Sequence, residues 1–202
     1  MREAGPFEVI VGRSMPEDGA PRYLGFVRGF DQNPKRRLVD MLESQGMRAN
    51  QDITFLTDGG EEVRALTERI SSCSEHVLDW FHITTRITVL GQFAKGVAQY
   101  GDKAGARLTK ELARNTASLI NYGERYRSGE RISSAFVEAT VNAVVSKRFA
   151  KKQQMRWTRR GAHLLLQTRT KTLNGTLRST FERWYRGLAN ENLDHIIQAK
   201  AA

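Results

Sequence analysis

The chain of 202 residues has a single cysteine, Cys73, and only four prolines. One thiol excludes a disulfide framework and a cysteine-based zinc site within one chain, and Cys73 is expected to be a small buried apolar residue. No stretch reaches the ~20 apolar residues that a membrane helix needs, and the segment from Met1 to Phe7 lacks the apolar centre of a signal peptide. No membrane partner and a cytoplasmic location are therefore expected. No Gly-x-Gly-x-x-Gly or Walker-type loop follows any apolar run, which argues against a nucleotide-binding oxidoreductase or kinase. Acids are also in short supply, 22 against 32 lysines and arginines, leaving a net charge of +10. A polyanion is the expected partner, nucleic acid before acidic lipid, because each neutralised phosphate releases a condensed counterion.

The shortage of acid is sharpest near the C-terminus. Lys147, Arg148, Lys151, Lys152, Arg156, Arg159 and Arg160 fall in a tract that contains no carboxylate. These side chains are expected to hold phosphates, and Trp157 among them is a candidate for stacking on an unpaired base, with core packing as the competing role.

Apolar patterning predicts a mixed α/β chain. Phe7 to Val11 and Tyr23 to Phe30 are β-branched or aromatic runs around a Pro/Asp/Gly loop, which predicts a hairpin. Asn33 and Pro34 open a helix whose buried face carries Leu38, Met41, Leu42 and Gln45, and Gly46 stops it. Ile53 to Leu56 reads as a strand ending at Asp58, followed by a helix through Val63, Leu66 and Ile70. His76 to Trp80 reads as another strand, followed by a helix through Ile83, Ile87, Leu90 and Ala94. This β-β-α-β-α-β-α order predicts one mixed sheet covered by helices on both faces. Beyond it, Gly101 to Asn121 reads as helical but weakly periodic, and Asn121 to Glu130 as a loop. Arg131 to Phe149 reads as a helix that buries Phe136, Val137, Val141, Val144 and Val145, with Glu138 and Asn142 on another side. A last helix is expected from Thr158 past Arg178 to near Gly187, before a frayed polar tail from Asn190 to Ala202.

Acids at strand ends are the candidate chemistry. Asp58, followed by Gly59 and Gly60, is placed to project from the carboxyl edge of a sheet, although with Glu61 it also forms a capping pair. Asp79 and His82 follow the next strand, and Asp79 is equally suited to cap the helix there. Glu138 is the one polar residue in an apolar helical turn, Ala135 to Ala139. Carboxylates meeting at one edge repel and call for a divalent cation, and hard oxygen ligands suit Mg²⁺ or Mn²⁺.

Together, Phe7 to Ser14, Thr54 to Gly60, Asp79 to Ile83 and Arg148 to Arg169, with Lys152-Gln153-Gln154-Met155 and Gly161 to Arg169 inside the last, resemble the C-terminal catalytic part of a bacterial insertion-sequence transposase of the DDE type, ISKra family. The resemblance covers nearly the whole chain. It implies an RNase H-like fold, residues 1–150 as a partial catalytic domain and 151–202 as a basic helical extension. It makes Asp58 the second catalytic acid, Glu138 the third, and Asp79 to His82 the acid-x-x-histidine element, with Asp58 and Glu138 as ligands of Mg²⁺ or Mn²⁺. DNA, as transposon ends and target, is the implied partner, homo-oligomers are the implied assembly, and the nucleoid the implied place of action. Members carry the first catalytic aspartate on a strand upstream of Phe7 to Val11, so this chain is expected to be truncated and to lack both that strand and that acid. A longer helical insertion lies between His82 and Glu138 in members, which implies an internal deletion here. A sheet without its central strand is expected to expose an edge that invites pairing with another chain.

Overall fold

The computed structural model describes residues 6–96, 98–133, 139–146, 149 and 157–185. Strands β1 (Val9–Ser14) and β2 (Arg22–Val27) form the expected antiparallel hairpin, in register Val9↔Val27 through Ser14↔Arg22. β2 stops at Val27 rather than Phe30, because Gly29 adopts φ +68° and the Val27 carbonyl accepts turn bonds from the Phe30 and Asp31 amides. The hairpin packs on both faces, with β2 largely buried and β1 half-buried, which is why its apolar residues run almost without interruption. Helix α1 (Pro34–Glu43) lays Leu38 and Leu42 on Leu24 and Phe26, with Ile10 alongside. On the other face Val27 meets Val144, Ala162 and Leu166, with Val9, Val11 and Tyr23 packed around them.

β3 (Ile53–Thr57) and β4 (Ser74–Leu78) are parallel, joined by helix α2 (Glu61–Thr67), whose Leu66 belongs to the same cluster as Leu24 and Phe26. Ile53 and Phe55 pack against that cluster too, so one core holds both strand pairs. They do not join into the single sheet expected: hydrogen bonding gives two separate two-stranded sheets, β1-β2 and β3-β4. Mixed α/β is thus the architecture.

β4 ends at Leu78, two residues before the expected limit. The Asp79 carboxylate accepts the Phe81 amide at 3.0 Å and its carbonyl accepts the Ile83 amide at 3.1 Å, so helix α3 (Trp80–Gly96) begins at once. Helix α4 (Ala98–Arg114) returns antiparallel to it, since His82 near the start of α3 meets Glu111 near the end of α4. Ile83 is buried, whereas Ile87, expected beside it, is 51% exposed. A 3-10 turn (Thr116–Ser118) leads to helix α5 (Tyr122–Arg127), where a loop was expected. Asn121 caps α5 by accepting the Glu124 amide at 3.2 Å, and its own amide group donates to the Glu124 carboxylate at 3.1 Å. Cys73 is exposed rather than buried, because it lies in the turn between α2 and β4.

Residues 131–133 are not helical, so the helix expected from Arg131 does not start there; 139–141 are helical and Asn142–Ser146 form a π-type turn that buries Val144. Phe136 and Val137 lie outside the described residues. The expected final helix is two: α6 (Arg159–Leu173) and α7 (Leu177–Trp184), broken where Gly175 takes φ +69°. Thr158 caps α6 by accepting the Gly161 amide at 3.1 Å. α6 lies within the core of the hairpin, with Thr170, Leu166 and Val144 grouped around Gly25, where a Cβ would stand in ordinary contact at 3.4–3.5 Å.

Asn174 fixes α6 further. Its side chain accepts the Tyr23 amide at 2.8 Å and donates to the Tyr23 carbonyl at 2.9 Å, imitating a neighbouring strand. Asn174→Ala removes both bonds and leaves buried strand groups unpaired, so we expect a loss of about 1–3 kcal/mol in urea unfolding with an unchanged m-value.

Candidate functional site

The acids at the strand ends sit side by side. Thr57 pairs with Leu78 and the Asp79 amide donates to the Thr57 carbonyl at 2.8 Å, so Asp58 and Asp79 leave adjacent parallel strands at the same level, about one strand spacing of 4.8 Å apart. Asp58 is exposed and Asp79 only 4% exposed. Both line a cleft of about 1840 Å³ whose walls include β1 and β3.

Local turns set the direction of each carboxylate. Asp58 Oδ1 accepts the Gly60 amide at 3.0 Å, and Thr57 Oγ1 accepts the Gly59 amide at 3.1 Å. Gly60, not Asp58, is the residue at the N-cap of α2, so the expected Asp58–Glu61 capping pair does not form in that register. The turn needs glycine: Gly59 has φ +77°, and a Cβ there would lie 2.7 Å from both Asn115 Nδ2 and Leu78 Cδ1.

A polar chain runs beneath this loop. His76 Nε2 meets Thr57 Oγ1 at 2.8 Å and His76 Nδ1 meets Ser118 Oγ at 2.7 Å. Asn115, buried, donates to the Gly59 carbonyl at 3.4 Å and to the Glu111 carbonyl at 2.9 Å. Burial and the nearby Arg64 charge hold the His76 imidazole below its usual range, which favours the neutral ring. On the far side of β4, Tyr122 donates its hydroxyl to the Leu78 carbonyl at 2.8 Å. Burial first, then the Asp79 charge, pushes that phenol up.

His82 pairs with Glu111 at 2.5 Å, and Arg86 approaches the same carboxylate at 3.7 Å. The histidine therefore ties α3 to α4 through an acid the sequence reading did not single out. Glu138 lies outside the described residues, as do Lys147, Arg148, Lys151, Lys152 and Arg156. Val141 and Val145, which follow Glu138 on the chain, line the cleft with Asp58 and Asp79. Arg159 and Arg160 are exposed at the start of α6. Trp157 is half-buried and packs with Phe149 at 5.0 Å between ring centroids, against the core under the hairpin. Among the described residues no group of three or more His, Cys, Asp or Glu is gathered for a metal ion. No helix of the described residues is long and apolar enough to cross a membrane.

His76, Asn115, Ser118 and Tyr122 are absent from the sequence-level candidates. Their roles come from contacts between segments remote in the chain, and only His76, a titratable residue in an apolar strand, carried a local signal. Because its pKa is lower in the fold than the unfolded value of about 6.5, the unfolded chain takes up the proton first. Its contribution is complete above that value and is lost as pH falls through it; the melting temperature should decline from pH 7 toward pH 5.5, and His76→Gln should flatten that decline. Gly59→Ala should cost about 1–3 kcal/mol by strain and overlap, measured by denaturant unfolding.

Comparison with protein-family models, with curated proteins and with solved structures found no match to this chain.

Proposed function

We propose that this chain is part of the catalytic region of a DDE-type insertion-sequence transposase of the ISKra family, whose intact form cuts and joins DNA strands with Mg²⁺ or Mn²⁺. The observation that carries this reading is the pair Asp58 and Asp79, leaving adjacent parallel strands at one level of a single cleft. Strand ends are where α/β sheets place reacting groups, because backbone and side chains converge there without a covering helix.

Electrostatics supports a divalent ion. The chain is +10, yet carboxylates outnumber basic side chains around the cleft. A phosphate backbone meeting Asp58 and Asp79 directly would be repelled, and a cation between them removes the repulsion. Asp58 and Glu138 are the ligands that the resemblance implies, and their carboxylates would offer the hard oxygen donors that Mg²⁺ accepts alongside water and substrate oxygens. The ion would supply activation of water or a 3′-hydroxyl and stabilisation of the leaving oxygen. The chain's own contribution is positional: Thr57, Gly59 and Gly60 fix the Asp58 turn, while His76 and Asn115 support it from below.

A second reading, a DNA-binding remnant without catalysis, is favoured by the exposed Arg159 and Arg160 at the start of α6. The two readings separate cleanly. In calorimetric Mn²⁺ titration, Asp58→Asn combined with Glu138→Gln should weaken binding by roughly tenfold or more, as ligand charge count sets affinity; binding equal to that of the unsubstituted chain would remove the metal site. Arg159→Gln with Arg160→Gln should lower the slope of log K against log salt for duplex DNA by roughly 2. An unchanged slope would take these arginines out of the interface.

A further inference from the structure

One aromatic face of this protein is left to solvent. On α7, Phe181 precedes Trp184 by three residues and Tyr185, the helix C-cap, by four, the spacings that bring side chains together on one side of a helix. The rings pack on one another. Phe181 meets Trp184 edge to face at 5.8 Å between centroids and lies nearly parallel to Tyr185 at 6.4 Å. Yet Phe181, Trp184 and Tyr185 remain 43%, 66% and 59% exposed. Exposed aromatic area rimmed by polar groups marks a surface that meets a partner.

The charge beside the rings defines that partner. Thr180, buried, fixes α7 on α6: its hydroxyl donates to the Thr176 carbonyl at 2.8 Å and accepts from Lys171 Nζ at 3.2 Å. This contact holds Lys171 next to the face. Burial first, then the positive charges of Arg183 and Arg37, push its ammonium below the usual range. Arg37 pairs with Asp31, and the one acid of α7, Glu182, is taken by Arg178 at 2.8 Å. Among the described residues, Lys171 and Arg183 are therefore the cations beside the rings without a carboxylate partner. Crowded cations are relieved by an anion, and exposed rings by another flat apolar surface. An unpaired nucleotide supplies both, as phosphate and base, whereas in a duplex the bases stack on each other and are closed to the rings.

We propose that the α7 face binds an unpaired DNA strand, whose bases stack on Trp184 and Tyr185 and whose phosphates lie along Arg183 and Lys171. The choice of DNA rests on the function proposed above; the choice of an unpaired strand rests on the rings. Arg159 and Arg160 stand at the opposite end of α6, about 20 Å from Lys171 along the helix, so the duplex contact expected there is tested separately.

The full chain is titrated, with EDTA present, against fluorescein-labelled oligothymidylate, an abasic strand of the same length, a DNA duplex and oligouridylate, and binding is read by polarisation. Oligothymidylate should bind roughly tenfold or more tightly than the abasic strand, which has the same phosphates and no bases. Trp184→Ala should weaken oligothymidylate binding by roughly tenfold while changing abasic and duplex binding by less than about twofold. Trp184→Phe keeps a stacking face and should recover most of the loss. Arg183→Gln should lower the slope of log K against log salt for oligothymidylate by about 0.7, the value of one phosphate. Both side chains are exposed, so circular dichroism and melting temperature should not change. Equal affinity for the thymidine and abasic strands, or undiminished binding by Trp184→Ala, overturns the stacking site. Tighter binding of oligouridylate overturns the choice of DNA. Trp184-dependent binding to phosphatidylserine vesicles that oligothymidylate does not displace assigns the face to a lipid surface, and Trp184-dependent self-association assigns it to a second copy; either overturns the proposal. With metal chelated the Asp58 site is silent, so failure here leaves the Mn²⁺ titration to decide the metal site, and loss of the metal site leaves this result standing.

Discussion

Everything in this molecule depends on where the strands obtain their second set of hydrogen bonds. A two-stranded sheet satisfies half of its backbone, and a buried amide without a partner costs more than a made bond contributes. On β2 the deficit is met by Asn174 and Gln167, which reach over from α6; on β4 it is met by Tyr122 from α5. Those contacts decide which helices lie where. The cap at Asn121 starts the turn that carries Tyr122.

The same requirement links scaffold and site. Parallel pairing of β3 with β4 brings Asp58 and Asp79 to one level, and the tight turn at Gly59 leaves Asp58 exposed over the cleft while Asp79 is buried at the start of α3. Beneath the loop, the hydroxyl–imidazole–hydroxyl chain through Thr57, His76 and Ser118 holds the loop by bonds that work with a neutral ring. Asp58 thus has a fixed turn and Asp79 a fixed helix start, so neither carboxylate depends on a freely rotating surface side chain for its position. The cost of this arrangement is negative charge gathered around one cleft of a basic protein.

Much of the local structure was legible. The hairpin, the helix opened by Asn33 and Pro34, and the strand–turn–helix unit around Asp58 follow from residues adjacent in sequence, and all formed. The errors have physical causes. Trp80 was placed in a strand because it is aromatic and follows apolar residues, but the Asp79 cap overrides that propensity. The 122–127 helix was hidden among glycine and charged residues, and the cap at Asn121 decided it. The long last helix concealed its break because Asn174-Gly175 interrupts the apolar pattern only briefly, while the positive φ at Gly175 ends the helix in space. Cys73 was assigned to the interior by residue type alone, and its turn placed it outside.

The sequence by itself determined the charge, the order of strands and helices as far as α3, and the two acids at successive strand ends, because these rest on composition and on patterns within a few residues. Tertiary structure alone decided that the strands divide into two sheets, that Tyr122, Asn174 and Gln167 close the outer edges, that His82 pairs with Glu111 and that the inner edges of β1 and β3 face a common cleft. Those features are hydrogen bonds and contacts between residues far apart in the chain, and no local periodicity encodes which distant group will satisfy a given strand edge.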